Sequence, residues 1–245
     1  MGGETLNAGR HRFRVRALIL DVDGVLLDSP HEQAWRDALT GLADPSRFTS
    51  RIYREEVAGK PRLQGAVSAL KALGVGNAEG EADAYAIRKQ ARLEALIRSG
   101  GVRPFLDGLR FVERAAAAGL PMAVASASRN ADAMLRRCKR SDGGSLLECF
   151  SVNLNGCDNG PGKPDPWIVL RAAAELRIPP RACLVVEDAP TGVRAARSAS
   201  ALALGVARSG DAGPLRAAGA CRVVSSLDEV DIEGLTSGLW MDACA

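Results

Sequence analysis

The sequence predicts an α/β fold: a doubly wound parallel sheet that carries a helical insert after its first strand. Two observations predict it. Short apolar runs alternate with amphipathic helical stretches along most of the chain, and the stretch from about 30 to 101 breaks that rhythm with helical patterns alone. The first run, Val15 to Leu20, ends on Asp21 and has the character of a strand buried on both faces of a parallel sheet. Met122 to Ala125, Cys183 to Val186 and Leu202 to Val206 are similar runs, with Arg222 to Val224 a weaker one. Between them, Leu109 to Ala118 (closed by Gly119), Asp165 to Leu176 and Gly192 to Ser198 have helical periodicity. Strand-helix-strand repetition of this kind implies right-handed crossovers and a doubly wound sheet. Within the insert, His31 to Leu42, Arg51 to Val57, Leu63 to Leu73 and Glu81 to Ser99 read as amphipathic helices, with Gly74, Gly76, Gly80, Gly100 and Gly101 as breaks. The expected division is a core of 13–29 and 102–235, an insert of 30–101, and an extension of 1–12. Ser141 to Gly144 reads as a polar loop.

Composition narrows the function classes. A chain of 245 residues can bury one large core, and its 47% hydrophobic and 25% charged content is that of a globular protein, not a disordered or fibrous one. The net charge of +3 is small, and aromatics at 4% do not interleave with a basic block, so no nucleic-acid partner is expected. No stretch is long and apolar enough to span a bilayer, and the polar, basic start does not resemble a signal peptide, so no membrane partner and a cytoplasmic location are expected. Six cysteines lie far apart without C-x-x-C pairs and read as free thiols; two histidines are too few for a His-rich metal centre.

In an open parallel sheet, ligands bind beyond the carboxyl ends of the strands. The first strand delivers Asp21 and Asp23 there, followed by Gly24 for a sharp turn. The Met122 strand delivers Ser126 and Ser128, a later loop delivers Lys163 in Gly-Lys-Pro-Asp-Pro, and the Cys183 strand delivers Glu187 and Asp188. Crowded carboxylates raise one another's pKa unless a hard cation sits among them, and oxygen donors suit Mg²⁺. That cation and Lys163 would neutralise phosphoryl oxygens, with Ser126 donating a hydrogen bond, one carboxylate attacking phosphorus and the other protonating the leaving oxygen. Taken singly, each part has a plainer explanation: D-x-D-G as a turn or calcium loop, a serine as a helix cap, G-K-P as a turn, Glu-Asp as helix-start charge. Their occurrence in order, each at the end of an apolar run, favours catalysis.

These four motifs resemble the haloacid dehalogenase superfamily of phosphotransferases, over about Val15 to Val224. The resemblance implies a Rossmann-like core with an inserted α-helical cap. It implies an aspartyl-phosphate on Asp21 and a general acid/base in Asp23. Mg²⁺ would be held by Asp21, the Asp23 backbone carbonyl and Asp188, with Glu187 in support. Asp23 speaks against the dehalogenases and phosphonatases of the group, which lack this second acid. Within the superfamily the chain is most similar to the β-phosphoglucomutase subgroup. Ala125-Ser-Ala-Ser-Arg-Asn130 resembles its A-S-A-S-K-N, Gly59-Lys-Pro-Arg62 its G-x-x-R, His31-Glu-Gln-Ala-Trp35 its H-x-x-A-W, and Lys89 lies where it has R-K-N. The resemblance implies that Arg62, Ser128 and Asn130 bind the phosphate that is not being transferred. Two departures are a shorter linker, with Pro30 directly before His31, and a longer, more polar Arg136-to-Pro161 segment. On helix faces, His31 as a satisfied polar residue, Arg62 and Lys89 as solvated charges, and Asn130 as a cap are the plainer readings.

The expectation is therefore a Mg²⁺-dependent, β-phosphoglucomutase-like enzyme acting on a hexose phosphate, its partner a small phosphorylated metabolite. A phosphatase for a sugar phosphate or a phosphoglycolate-like ester is the alternative within enzymes. A non-catalytic regulatory protein that keeps the fold is the alternative of another class.

Overall fold

A computed structural model of the chain describes residues 14–238 apart from 158, 159 and 209. The extension expected over 1–12, and Cys244, lie outside the described residues. In chain order the elements are β1 (Ala17–Leu20), β2 (Leu27–Asp28), α1 (His31–Asp37), α2 (Ser50–Ile52), α3 (Arg62–Ala72), α4 (Ala78–Arg98), β3 (Arg103–Pro104), α5 (Leu106–Ala117), β4 (Met122–Val124), α6 (Ala131–Arg137), β5 (Val152–Asn153), α7 (Trp167–Leu176), β6 (Cys183–Glu187), α8 (Pro190–Ser198), β7 (Leu202–Val206), α9 (Gly213–Ala217), β8 (Arg222–Val224) and α10 (Ile232–Ser237). A π-helical turn, Tyr53–Val57, continues α2.

Six strands form a parallel sheet in the order β5-β4-β1-β6-β7-β8. The chain builds outward from β1 in one direction through β4 and β5, and in the other through β6, β7 and β8. The order reverses between β1 and β6, where Leu20 pairs with Val186. This doubly wound, Rossmann-like α/β core is the one the alternating runs predict, and its switch point is where such sheets open a crevice for ligands. The strands are apolar on both faces because helices cover both. Leu18 and Leu20 of β1 enter one core with Phe111, Met122 and Leu184, while Ala17 and Ile19 enter the other with Ala123, Ile168 and Val185.

Residues 31–98 contain helices and no strand, and they close around a separate apolar cluster of Trp35, Leu39, Phe48, Leu70 and Tyr85. The Tyr85 hydroxyl donates to the carbonyl of Trp35 at 2.8 Å, which satisfies the one polar atom of a ring buried between α1 and α4. The chain leaves the core through β2 and returns through β3, and these pair antiparallel, Leu27 with Pro104 and Asp28 with Arg103.

Several expected elements differ. The first helix of the insert stops at Asp37 instead of Leu42, and the chain continues in turns to Gly41, whose φ of +83° no helix accommodates. The expected helix from Arg51 to Val57 is a single α turn, capped by Thr49, that widens into the π turn. The fourth begins at Ala78, so Gly80 lies inside it and is no break; a Cβ there would fall 2.3 Å from the Asn77 side chain. In the core, α5 and α8 start three and two residues earlier than expected, whereas α7 starts at Trp167, where Asp165 accepts from the Trp167 N–H at 2.9 Å. Strands β2, β3 and β5, two residues each, were not expected, because two residues carry no readable periodicity. Cys138, Cys149, Cys157 and Cys183 are free thiols, but Cys221 is disulfide-bonded, which corrects the reading of all six as thiols. Sequence spacing holds no record of which distant cysteines meet in the fold.

Candidate active site

Asp21 follows the last residue of β1 and extends the ladder, its N–H donating to the carbonyl of Val186 at 3.1 Å. The chain must then leave the sheet at once. It does so in a tight turn closed by Gly24 N–H to Leu27 carbonyl at 2.9 Å, with Gly24 at φ +81°. A side chain at 24 is excluded a second time, since its Cβ would lie 1.9 Å from a carboxylate oxygen of Asp188. Gly192 plays the same part beneath Glu187, whose carboxylate would be 2.0 Å from a Cβ there. Two glycines thus make the room in which the acids of β1 and β6 approach one another.

Carboxylate oxygens of Asp21, Glu187 and Asp188 lie within 4.8 Å of each other. Burial pushes all three above the usual carboxylate range, and the charges of Asp21 and Glu187 push Asp188 further. Lys163 is the cation set among them. Its Nζ donates to Asp21 Oδ1 at 2.6 Å, to Glu187 Oε1, and to the carbonyl of Ala125 at 3.4 Å. Burial alone would lower the lysine pKa, but the attraction of Asp21 and Glu187 outweighs it and holds the ammonium charged. One ammonium faces three carboxyl groups, one buried and two part-buried, whose ionised forms together exceed its charge. The donor set is therefore the hard, all-oxygen kind that fits Mg²⁺.

Asp23 points elsewhere. Its carboxylate accepts from Ser29 Oγ and lies 3.4 Å from Nε2 of His31, at the start of α1. Burial raises the Asp23 carboxyl, an effect partly offset by the Ser29 hydrogen bond. The short linker before His31 does not stop the ring reaching the site: Nε2 is also 3.3 Å from Ser128 Oγ, and Nδ1 is 2.9 Å from Nζ of Lys89. The ammonium form of Lys89 has only protons to offer, so in that form Nδ1 accepts and Nε2 carries the ring proton. Burial and the charges of Lys89 and Arg62 hold His31 well below its usual pKa, in keeping with a neutral ring. His31 and Trp35 share a face of α1 at i, i+4, which explains the H-x-x-A-W spacing: the indole lies under Lys89, with Nζ 5.0 Å from the ring centre. Lys89 is 4% exposed, and burial lowers its pKa to about 7. It is no solvated helix charge.

After β4, the Ser126 hydroxyl accepts from Ser128 N–H at 3.1 Å, and Ser128 Oγ accepts from Asn130 N–H at 3.3 Å. Asn130 precedes α6, yet its side chain caps nothing; its oxygen meets Gln90 Nε2 at 3.4 Å. Arg62 opens α3. All eleven residues singled out in the sequence line one cleft of about 500 Å³ between the sheet and the helical insert.

Two cleft residues escaped the sequence reading. Arg208, just beyond β7, donates to the carbonyls of Gly24 (3.1 Å) and Val25 (2.7 Å) and to Asp107 (2.6 Å), and lies 4.0 Å over the Phe105 ring. It pins the turn behind Asp21; its place at the end of an apolar run was the available signal. Tyr53, on the π turn, lines the cleft, and burial with the charges of Asp23, Asp188 and Asp21 raises its phenol well above normal. No sequence pattern marks it.

Residues 15–200 match the haloacid dehalogenase-like hydrolase family. The chain belongs to that family. It is 33% identical over 249 residues to a β-phosphoglucomutase of Mycobacterium bovis, covering 89% of this chain and 92% of that one. It is 30% identical over 189 residues to a phosphorylated carbohydrates phosphatase of Thermotoga maritima, covering 76% and 82%. The crystal structure of an archaeal β-phosphoglucomutase from Pyrococcus sp. strain ST 04 superposes with a TM-score of 0.71 at 28% identity, covering 91% of this chain and 98% of that one. The chain is thus a haloacid dehalogenase-family enzyme of the phosphatase and phosphomutase class. Among the described residues, no helix is long and apolar enough to cross a membrane.

Proposed function

We propose that the protein is a β-phosphoglucomutase-like phosphotransferase that moves a phosphoryl group on a hexose phosphate by way of an aspartyl-phosphate at Asp21. The observation that carries this reading is the two-ended cleft. Asp21, Lys163, Glu187 and Asp188 occupy one end, and Arg62 and Lys89 add cationic charge from the helical insert, beside His31, Ser128 and Asn130. A single phosphate needs one such end; a sugar bisphosphate intermediate needs two.

In this reading the core is 13–29 with 102–235, and 30–101 is a cap hinged at the β2–β3 ribbon. Asp21 attacks phosphorus, the bond from phosphorus to the sugar oxygen breaks, and Asp23 delivers a proton to that oxygen. In the return transfer Asp23 takes the proton from the accepting hydroxyl as the phosphoryl leaves Asp21. Ser29 and His31 orient Asp23 between these roles, and Lys163 and Ser126 hold the transferring group. Mg²⁺ would be held by Asp21, Asp188 and the Asp23 carbonyl, with Glu187 in support, and would neutralise phosphoryl oxygens. Arg62, Ser128 and Asn130 grip the other phosphate, with Lys89 beside them.

The test is incubation with β-glucose 1-phosphate, Mg²⁺ and a trace of the 1,6-bisphosphate. Glucose 6-phosphate is the expected product. Release of free phosphate without it would overturn the mutase in favour of a sugar phosphatase, the activity named for the Thermotoga maritima relative.

A further inference from the structure

The loop that ends in Arg62 is seated on the core at two points, one beside each half of the catalytic end. The carbonyl of Ala58 accepts a hydrogen bond from Thr191 Oγ1 at 3.2 Å. Thr191 is 4% exposed, lies in the first turn of α8, and follows Asp188 by three residues. At the next position of the loop, Gly59 has φ +76°, and a Cβ there would lie 2.6 Å from the Thr191 hydroxyl and 3.8 Å from Cδ of Lys163. Two residues on, the Pro61 ring presses against Gly162, where an added Cβ would fall 2.2 Å from Pro61 Cδ. Residues 58–61 are therefore wedged between the helix that follows Glu187–Asp188 and the loop that carries Lys163. Arg62 enters the cleft directly from that wedge, at the start of α3.

We propose that Thr191 is a positioning residue for substrate, its hydroxyl fixing the backbone of the 58–61 loop so that the Arg62 guanidinium is presented to the distal phosphate. The inference rests on the reading that Arg62 grips that phosphate. The Pro61–Gly162 contact is apolar and tolerates sliding, whereas a hydroxyl-to-carbonyl bond fixes direction. A threonine at this place has no need of its hydroxyl for helix α8, since it is Ala58 of the insert that receives the proton. The bond also ties the approach of the insert to the helix that follows Glu187 and Asp188, so the two ends of the cleft share one strut.

Three variants test this. Thr191→Val keeps the shape and loses the hydroxyl, Thr191→Ser keeps the hydroxyl, and Gly59→Ala drives a methyl into it. With β-glucose 1-phosphate and a trace of bisphosphate, T191V and G59A raise KM, T191V by about three- to ten-fold as expected for loss of one hydrogen bond, with kcat within about two-fold. T191S stays near wild type, and the melting temperatures of T191V and T191S match. Wild-type KM in T191V or in G59A, while Arg62→Ala is impaired, overturns the inference and leaves the role of Arg62 standing. Equal impairment of T191V and T191S overturns it too, because packing would then be the cause. A wild-type KM in R62A overturns the Arg62 reading itself.

Discussion

The two ends of the cleft are built differently. At the core end, Asp21, Glu187 and Asp188 project from neighbouring parallel strands whose register is fixed by Leu20 opposite Val186, and Lys163 locks Asp21 to Glu187. At the other end, His31, Arg62 and Lys89 come from three helices of the insert, which meets the core across the β2–β3 ribbon, the 58–61 loop and the apolar contacts of Ala34, Leu93 and Ile97. A sheet edge holds charges at fixed separations, whereas layers that cover a site are the parts that move in many enzymes. In the proposed mechanism the difference is a division of labour: the transferring phosphate is met at the sheet edge, and part of the grip on the other phosphate, Arg62 with Lys89 beside it, comes from the helical insert.

This division predicts graded losses. In the proposed mechanism Asp21→Asn removes the nucleophile, and it is expected to lower phosphoryl transfer by roughly 10⁴ or more, measured as initial rate on any accepted phosphate ester. Substantial residual turnover would mean that the core end does not work as described. Chelation comes next. Because three crowded carboxyl groups face one ammonium, stripping divalent cations should bring the rate to background, and Mg²⁺ should restore it; activity persisting in chelator would break the account of the acidic cluster.

The smallest effect concerns stability. Lys89 has its pKa lowered to about 7 from an ordinary 10.5 by burial. Between those values the unfolded chain holds a proton that the folded chain does not, so stability rises with pH across that window. Lys89→Met should flatten the rise between pH 7 and 9 by roughly 1–2 kcal/mol in denaturant unfolding. An unchanged slope would mean that Lys89 is solvated and stabilised as an ammonium, and so less committed to waiting for an anion.

The core end was legible in the sequence and the other end less so, for a physical reason. Asp21, Ser126 and Glu187 each terminate or follow an apolar run, and a strand buried on both faces announces itself by composition. His31 and Lys89 are 58 positions apart on separate helices, and only a resemblance, not periodicity, joined them. Their contact depends on how α1 lies against α4, through Tyr85 and Trp35. Arg208 and Thr191 were missed because each acts on backbone carbonyls, of Gly24, Val25 and Ala58, and a carbonyl is the same in every residue. The strands β2, β3 and β5 were missed because two residues cannot show an alternation. Cys221 was misread because its bond depends on which segments the fold brings together.

The central claim is that the core end transfers the phosphoryl group and the insert end decides what receives it. The direct measurement is the ratio of glucose 6-phosphate formed to free phosphate released, in wild type and in Arg62→Ala, from β-glucose 1-phosphate with Mg²⁺ and a trace of bisphosphate. The ratio should be well above one in wild type and should fall by roughly ten-fold or more in R62A, as the distal phosphate loses a charge-assisted partner. The same ratio in both proteins would contradict the division between the two ends.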